Sequence, residues 1–331
     1  MASEKIITTT QLKPKSVHVV VNPAPSRRIP LLAMLNQAFR DAGIEWDLSI
    51  THGPGDGKRL AEKAVEGGAE VVAVYGGDGT VMEVAAGLLE TNTPMLILGG
   101  GTGNLVASEL RLSTNIEKAC ALICGESYMT RQIDVGMMGE RPFLLRIGCG
   151  IEVGVVQEAT RELKDQFGKW AYVFAGIKTL QETPEAKYEI ILNGKEKIEA
   201  TGVACVVANA GTVGLGRLTL APSVDVQDGK LDVFFLKKAN IEGIVQIASK
   251  MTGLDRLRKE KEKDEGEAHL DASQAVTHWQ VDSVDIKTDP VLDMQVDGDV
   301  VGKTPQSIRI LAKGLRVVVG DPAHSEKKDW I

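Results

Sequence analysis

The chain has 331 residues, 43% hydrophobic and 25% charged, with a formal net charge of -7. This composition excludes a disordered chain and argues against a dedicated nucleic-acid binder, whose affinity needs a basic face. The length favours two domains.

The N-terminus lacks the apolar core of a signal peptide, and no segment is apolar for the ~18 residues a membrane span needs. The reading is therefore a cytoplasmic protein with no transmembrane segment, which meets a bilayer only peripherally. Cys120, Cys124, Cys149 and Cys205 have neither zinc nor redox spacing and read as buried, reduced thiols.

From residue 16 to about 110, short β-branched runs alternate with helical spacing, as in successive βα units. Residues 17–21, 45–50, 70–75 and 94–98 read as strands, and 30–42, 57–66, 81–90 and 105–110 as helices. Strands apolar at nearly every position imply a parallel sheet covered on both faces, with ligands beyond its carboxyl edge. After Ile133 the texture changes to alternating segments at 143–147, 188–192, 203–208, 231–236, 284–287, 308–311 and 315–319, separated by Gly, Asn and Asp turns. The fold class expected is an α/β N-terminal domain over 16–133 and a mostly antiparallel β-rich domain over 134–320, with the active cleft between them. Residues 1–15 and 321–331 are tails, the second packing back on the first domain. Helical passages are expected at 155–180 and 241–263, and 256–267 reads as a solvated stretch.

Chemistry concentrates in two glycine clusters. Gly76-Gly77-Asp78-Gly79-Thr80 follows a strand and opens a helix, so its backbone can approach a phosphate at the positive end of the helix dipole. Asp78 would be repelled there unless Mg²⁺ bridges it to the phosphates. The plainer alternative is a strand-to-helix turn capped by Thr80 or Asp78. The second cluster, Gly99-Gly100-Gly101-Thr102-Gly103-Asn104, follows the next strand, and the two turns would face one crevice.

The spacing of Asn22-Pro23, Thr51, the first glycine turn with Glu83, and Gly101-Thr102-Gly103-Asn104 resembles the diacylglycerol kinase catalytic-domain family. The likeness continues through Ile133-Asp134-Val135-Gly136, Asn209-Ala210-Gly211, Ala221-Pro222, Asp228-Gly229-Lys230-Leu231-Asp232 and Val296-Asp297-Gly298-Asp299. The resemblance implies the cofactors ATP and Mg²⁺, with Asn22, Thr51, Gly76, Gly77, Asp78, Gly79, Thr80, Glu83, Gly101, Thr102, Gly103 and Asn104 at the nucleotide. It implies a lipid acceptor at a membrane surface, Asp78 and Asp299 as catalytic residues, and a structural Mg²⁺ on Asp225, Asp228 and the carbonyl of Lys230. A homodimer is left open.

Two positions depart from the family pattern. Leu105 stands where many bacterial members have Asp, and Asp299 replaces a glutamate proposed as general base. Asp297-Gly298 reads equally as a type I′ hairpin turn, and Asp134 as a polar residue at a strand end. Phe167, Trp170, Tyr172 and Phe174 beside Lys164 and Lys169 read as a core helix or a lipid-surface element. An NAD or sugar kinase, and a non-catalytic nucleotide or lipid sensor, are the rival functions.

Overall fold

The computed structural model describes residues 8–24, 29–150, 183–211, 224–237, 276–296 and 299–320. The expected helices at 155–180 and 241–263, the aromatic cluster from Phe167, the 256–267 stretch, and residues 221–222 and 297–298 lie outside them.

The chain begins with β1 (Thr8–Leu12), β2 (Ser16–Val21), α1 (Leu31–Asp41), β3 (Glu45–Ile50), α2 (Asp56–Glu66), β4 (Val71–Gly76), α3 (Asp78–Leu88), β5 (Met95–Gly99), α4 (Leu105–Glu109) and α5 (Ile116–Cys124). Strands β3, β2, β4 and β5 pair in that order, all parallel. Every residue of β4 and β5 is buried, because helices cover both faces, as the unbroken apolar runs predict. On one face Val72, Val74 and Ile97 pack with Leu60 and Ala64 of α2 and with Val84 and Leu88 of α3. On the other, Val19, Ala73 and Leu98 pack with Leu35 and Phe39 of α1 and with Ile116, Cys120 and Ile123 of α5. Helix α5 escaped the sequence reading although its signal is present: Asn115 Oδ1 accepts from Lys118 N–H at 2.9 Å, and Ile116, Ala119, Cys120 and Ile123 follow at helical spacing.

The rest of the described chain is β6 (Ser127–Met138), β7 (Arg141–Phe143), β8 (Arg146–Cys149), β9 (Ala186–Leu192), β10 (Glu196–Gly202), β11 (Ala204–Ala208), β12 (Leu231–Leu236), β13 (Val276–Val281), β14 (Ser283–Asp289), β15 (Asp293–Val296), β16 (Asp299–Lys303) and β17 (Gln306–Val319). One sheet runs β10-β9-β14-β17-β5-β4-β2-β3, and a second runs β13-β12-β11-β8-β15-β16. The antiparallel part of the first sheet faces the second, and the core between them holds Tyr188, Ile190, Val233, Phe235, Ile286 and Met294. Tyr188 meets Phe235 edge-on, with ring centroids 5.1 Å apart. Along β9, Ala186, Tyr188, Ile190 and Leu192 point inward and the residues between them outward, the two-residue period read from sequence.

Position 133, where the pattern changes, lies within the continuous strand β6. Beside β6 runs β17, whose first half pairs with β14 and whose second half lies parallel to β5 at Val317 and Met95. The sequence reading placed residues 1–15 in a tail, but Thr8–Leu12 adds to the edge of β6 as a strand. Its three threonines have strand propensity without apolar alternation, so only the available sheet edge selects that conformation. All four cysteines are free, and burial pushes the Cys120 and Cys149 thiols up to about 12.

Candidate active site

The parallel strands leave their connecting loops at one edge. Asn22 follows β2, Thr51 follows β3, Gly77 follows β4 and Gly100 follows β5. From β2 the chain steps outward to β3 and then back across to β4, so strand order reverses between β2 and β4. A crevice opens at such a reversal.

The two glycine turns are in direct contact there. Gly100 N–H donates to Gly76 O at 2.9 Å. A Cβ on Gly101 would stand 2.6 Å from Gly77 Cα, so no larger residue fits without parting the loops. Asn104, at φ 47° and buried, closes the second turn on itself: its Oδ1 accepts from Gly101 N–H at 3.0 Å and its Nδ2 donates to Gly101 O at 2.8 Å. Asp78 joins the loops, its Oδ1 accepting from Val106 N–H at 3.1 Å at the start of α4. Asn22 Nδ2 donates to Thr80 Oγ1 at 2.8 Å, tying the β2 loop to the first turn. Thr51 is buried, and its N–H donates to Val21 O at 2.9 Å.

Two helix N-termini border this crevice and differ in one respect. The start of α2 is already occupied by carboxylates: Glu83 accepts from Gly55 N–H at 2.8 Å and Gly57 N–H at 2.9 Å, and Asp56 accepts from His52 and Gly53 N–H. Helix α3 starts from Gly77 with no side-chain cap, leaving N–H groups of its first turn for an anion. Glu83, named from sequence as a nucleotide contact, thus serves as an anchor between α3 and α2. Gly79, Thr102 and Gly103 are exposed and present mainly backbone to the crevice.

The second unit carries the other acids. Asp134 is buried, and its Oδ1 and Oδ2 accept from Lys313 N–H and Gly229 N–H, each at 2.7 Å. It therefore pins the turn at residues 225–230 to the irregular midpoint of β17. Gln280 Nε2 donates to Asp228 Oδ2 at 3.3 Å and Lys230 Nζ to Asp282 Oδ1 at 2.6 Å, so the β13–β14 corner braces the same turn. No spacing in the sequence joins residues 228 and 280; only the fold does. Burial pushes the Asp228 carboxyl up to about 6, with the neighbouring Asp232, Asp225 and Asp134 charges adding to the shift.

Asp225, Asp228 and the Lys230 carbonyl share this turn, and oxygen donors of these kinds are the ones Mg²⁺ takes. Among the described residues, no group of three or more His, Cys, Asp or Glu side chains converges to hold a metal. Asp299 is exposed at the start of β16, an edge strand of the second sheet, opposite Val296 of β15. That pairing leaves two residues to connect the strands, as a hairpin reading requires.

Other concavities lie away from the glycine turns. A groove of about 510 Å³ over the outer face of β9, β10 and β14 is lined by Lys187, Glu189, Glu199 and Lys287. Lys197 binds both Glu189 and Glu199 at 2.9 Å, so these charges satisfy one another as on any solvated sheet face.

Residues 16–138 match the model of the diacylglycerol kinase catalytic domain, and residues 146–319 match that of the YegS C-terminal NAD kinase beta sandwich-like domain. The chain belongs to the diacylglycerol kinase catalytic-domain family. Members similar to it include an uncharacterized protein of Synechocystis, 28% identical over 96% of this chain and 73% of that one. The diacylglycerol kinase of Bacillus subtilis is 26% identical over 92% of this chain and 96% of its own length, and a putative lipid kinase of Staphylococcus haemolyticus is 27% identical over 79% and 80%. The crystal structure of a putative diacylglycerol kinase from Bacillus anthracis superposes with a TM-score of 0.73 at 25% identity, covering 95% of this chain and 99% of that one. In this family a parallel-sheet domain is joined to a β-sandwich domain, as here. No helix of the described residues is long and apolar enough to cross a membrane.

Proposed function

We propose that the protein is an ATP- and Mg²⁺-dependent lipid kinase acting peripherally at a membrane surface from the cytoplasm. The observation that carries this reading is the contact of two glycine turns at the reversal point of the sheet, beside an uncapped helix N-terminus. Phosphates need close backbone approach and free N–H donors, and this arrangement offers both. Asp78 would hold the nucleotide-associated Mg²⁺ through the carboxylate oxygen not engaged by Val106, and Asp225, Asp228 and the Lys230 carbonyl would hold a structural one. Bound Mg²⁺ supplies positive charge against the phosphates.

In the reaction, the acceptor hydroxyl oxygen bonds to the γ-phosphorus while the bond from that phosphorus to the β–γ bridging oxygen breaks and ADP leaves. Asp299, exposed and carboxylate-bearing, accepts the hydroxyl proton. Labelled ATP offered with diacylglycerol, sphingoid bases, ceramide, phosphatidylglycerol and NAD tests this. Label should pass to a lipid, and Asp299→Asn should slow transfer by ~10²-fold or more while ATP still binds. Transfer to NAD alone, or ATP binding with no transfer, would overturn the reading in favour of its rivals.

A further inference from the structure

Strand β6 carries Arg131 between Met129 and Ile133 and opposite Val317 of β17. Successive side chains of a strand alternate in face and cross-strand partners share one, so Arg131 lies on the same face as these three, which pack in the core that also holds α3 and α4. Its Nε is buried without a hydrogen-bond partner, and among the described residues no ion pair neutralises the guanidinium. The charge of Asp225 reaches it, but Asp225 is exposed and its Oδ1 is taken by Gln227 N–H at 3.1 Å.

A second cation stands beside it. Arg111 follows α4, exposed between Leu110 and Leu112, which are buried in the same core. Its φ is 56° and its N–H donates to Ser108 O at 3.0 Å, a left-handed helix end that favours glycine. Burial pushes the Arg131 guanidinium below its ordinary pKa; Asp225 opposes the shift and Arg111 adds to it. Two like charges are thus brought together without a counter-ion in a chain whose formal net charge is -7. An unpaired guanidinium on an apolar layer destabilises a fold relative to an uncharged side chain of similar length. Arginine keeps its charge in such surroundings, so an anion from outside the chain is what completes the arrangement.

We propose that Arg111 and Arg131 form a binding site for a phosphate group, separate from the glycine turns. A phosphate dianion accepts forked hydrogen bonds from two guanidinium groups, whereas a carboxylate is filled by one. Asn104, which closes the second glycine turn, and Arg111 stand at opposite ends of α4, a helix that rises roughly 7.5 Å. The site therefore takes a phosphate other than any bound at the start of α3. Its bearer is a lipid headgroup or a soluble phosphate ester, which share this chemistry.

The full-length protein carries the test, with inorganic phosphate as the probe and chloride holding the ionic strength constant. Millimolar phosphate should raise the melting temperature of the parent. Arg131→Met should melt higher than the parent without phosphate and gain nothing from it, because the unpaired charge and the site are removed together. Arg111 is exposed, so Arg111→Gln should fold as the parent does and weaken the response at least tenfold, the loss of one charge-assisted contact. Gly101→Ala, which parts the glycine turns, should keep the response. Equal responses in the parent and both arginine variants overturn the proposal, and so does a response that disappears in Gly101→Ala, which places the anion at the glycine turns. Flotation with phosphatidate but not phosphatidylcholine vesicles, lost in Arg131→Met, assigns the phosphate to a lipid headgroup; a response to free phosphate without flotation assigns it to a soluble ester.

Discussion

Asp78 has one observed role and one proposed role, and its neighbours allow them to be separated. One oxygen holds Val106 N–H at the head of α4, and in the proposed reaction the charge would face a phosphate-bound Mg²⁺. Asp78→Asn can keep the hydrogen bond and loses the charge, so it should unfold within about 0.5 kcal/mol of the parent while turnover collapses. Asp78→Ala should lose about a further 1 kcal/mol in denaturant melts, because Val106 N–H is left without its acceptor. Asp228 gives a pH signature. Its folded value of about 6 lies above the ordinary 3.8, so with chelator present it favours the folded state below about pH 4 and loses that contribution as pH rises through 6. Melting temperatures of parent and Asp228→Asn, compared from pH 4 to 7, should diverge in that sense. Adding Mg²⁺ at pH 7 should raise only the parent. Asp78 was legible in the sequence because strand, glycine turn and helix start are contiguous. Gln280 and Asp282 were not, since their partners lie about fifty positions away.

The working elements are turns pressed against one another. Gly101→Ala places a methyl group 2.6 Å from Gly77 Cα, where the neighbour is backbone and cannot turn aside. Nucleotide affinity, followed by titration calorimetry, should fall at least tenfold while the sandwich core keeps its far-ultraviolet signature. Whether a helix N-terminus is free also emerges only at this scale. Sequence alone marked the start of α3 as an anion site and was silent on the start of α2, and it is the packing of α2 on α3 that brings Glu83 onto Gly55 and Gly57. Conversely, α5 carried a signal in its spacing and cap that the sequence reading missed, and β1 carried none, because an edge strand of threonines is selected by the backbone groups of β6 rather than by its own pattern.

Across the molecule, β17 links the two halves. Leu315 sits in the first core, within the strand whose earlier half pairs with β14 of the sandwich. Leu315→Ala should cost ~2–5 kcal/mol. Because one strand joins the parallel part of the first sheet to its antiparallel part, probes in either half should report the same lowered urea midpoint; separate transitions would show that the halves unfold independently. The amino-acid sequence by itself determined the two classes of sheet, the placement of the glycine turns at strand ends and the family to which they belong, because these rest on local periodicity and contiguous motifs. Tertiary structure alone decided that the turns touch, that Glu83 and Asp134 are anchors, that the acids of residues 225–232 crowd Asp228, and that the final strand runs back beside β5. Those facts depend on which distant backbones are brought within hydrogen-bonding reach, and short-range spacing carries no record of that.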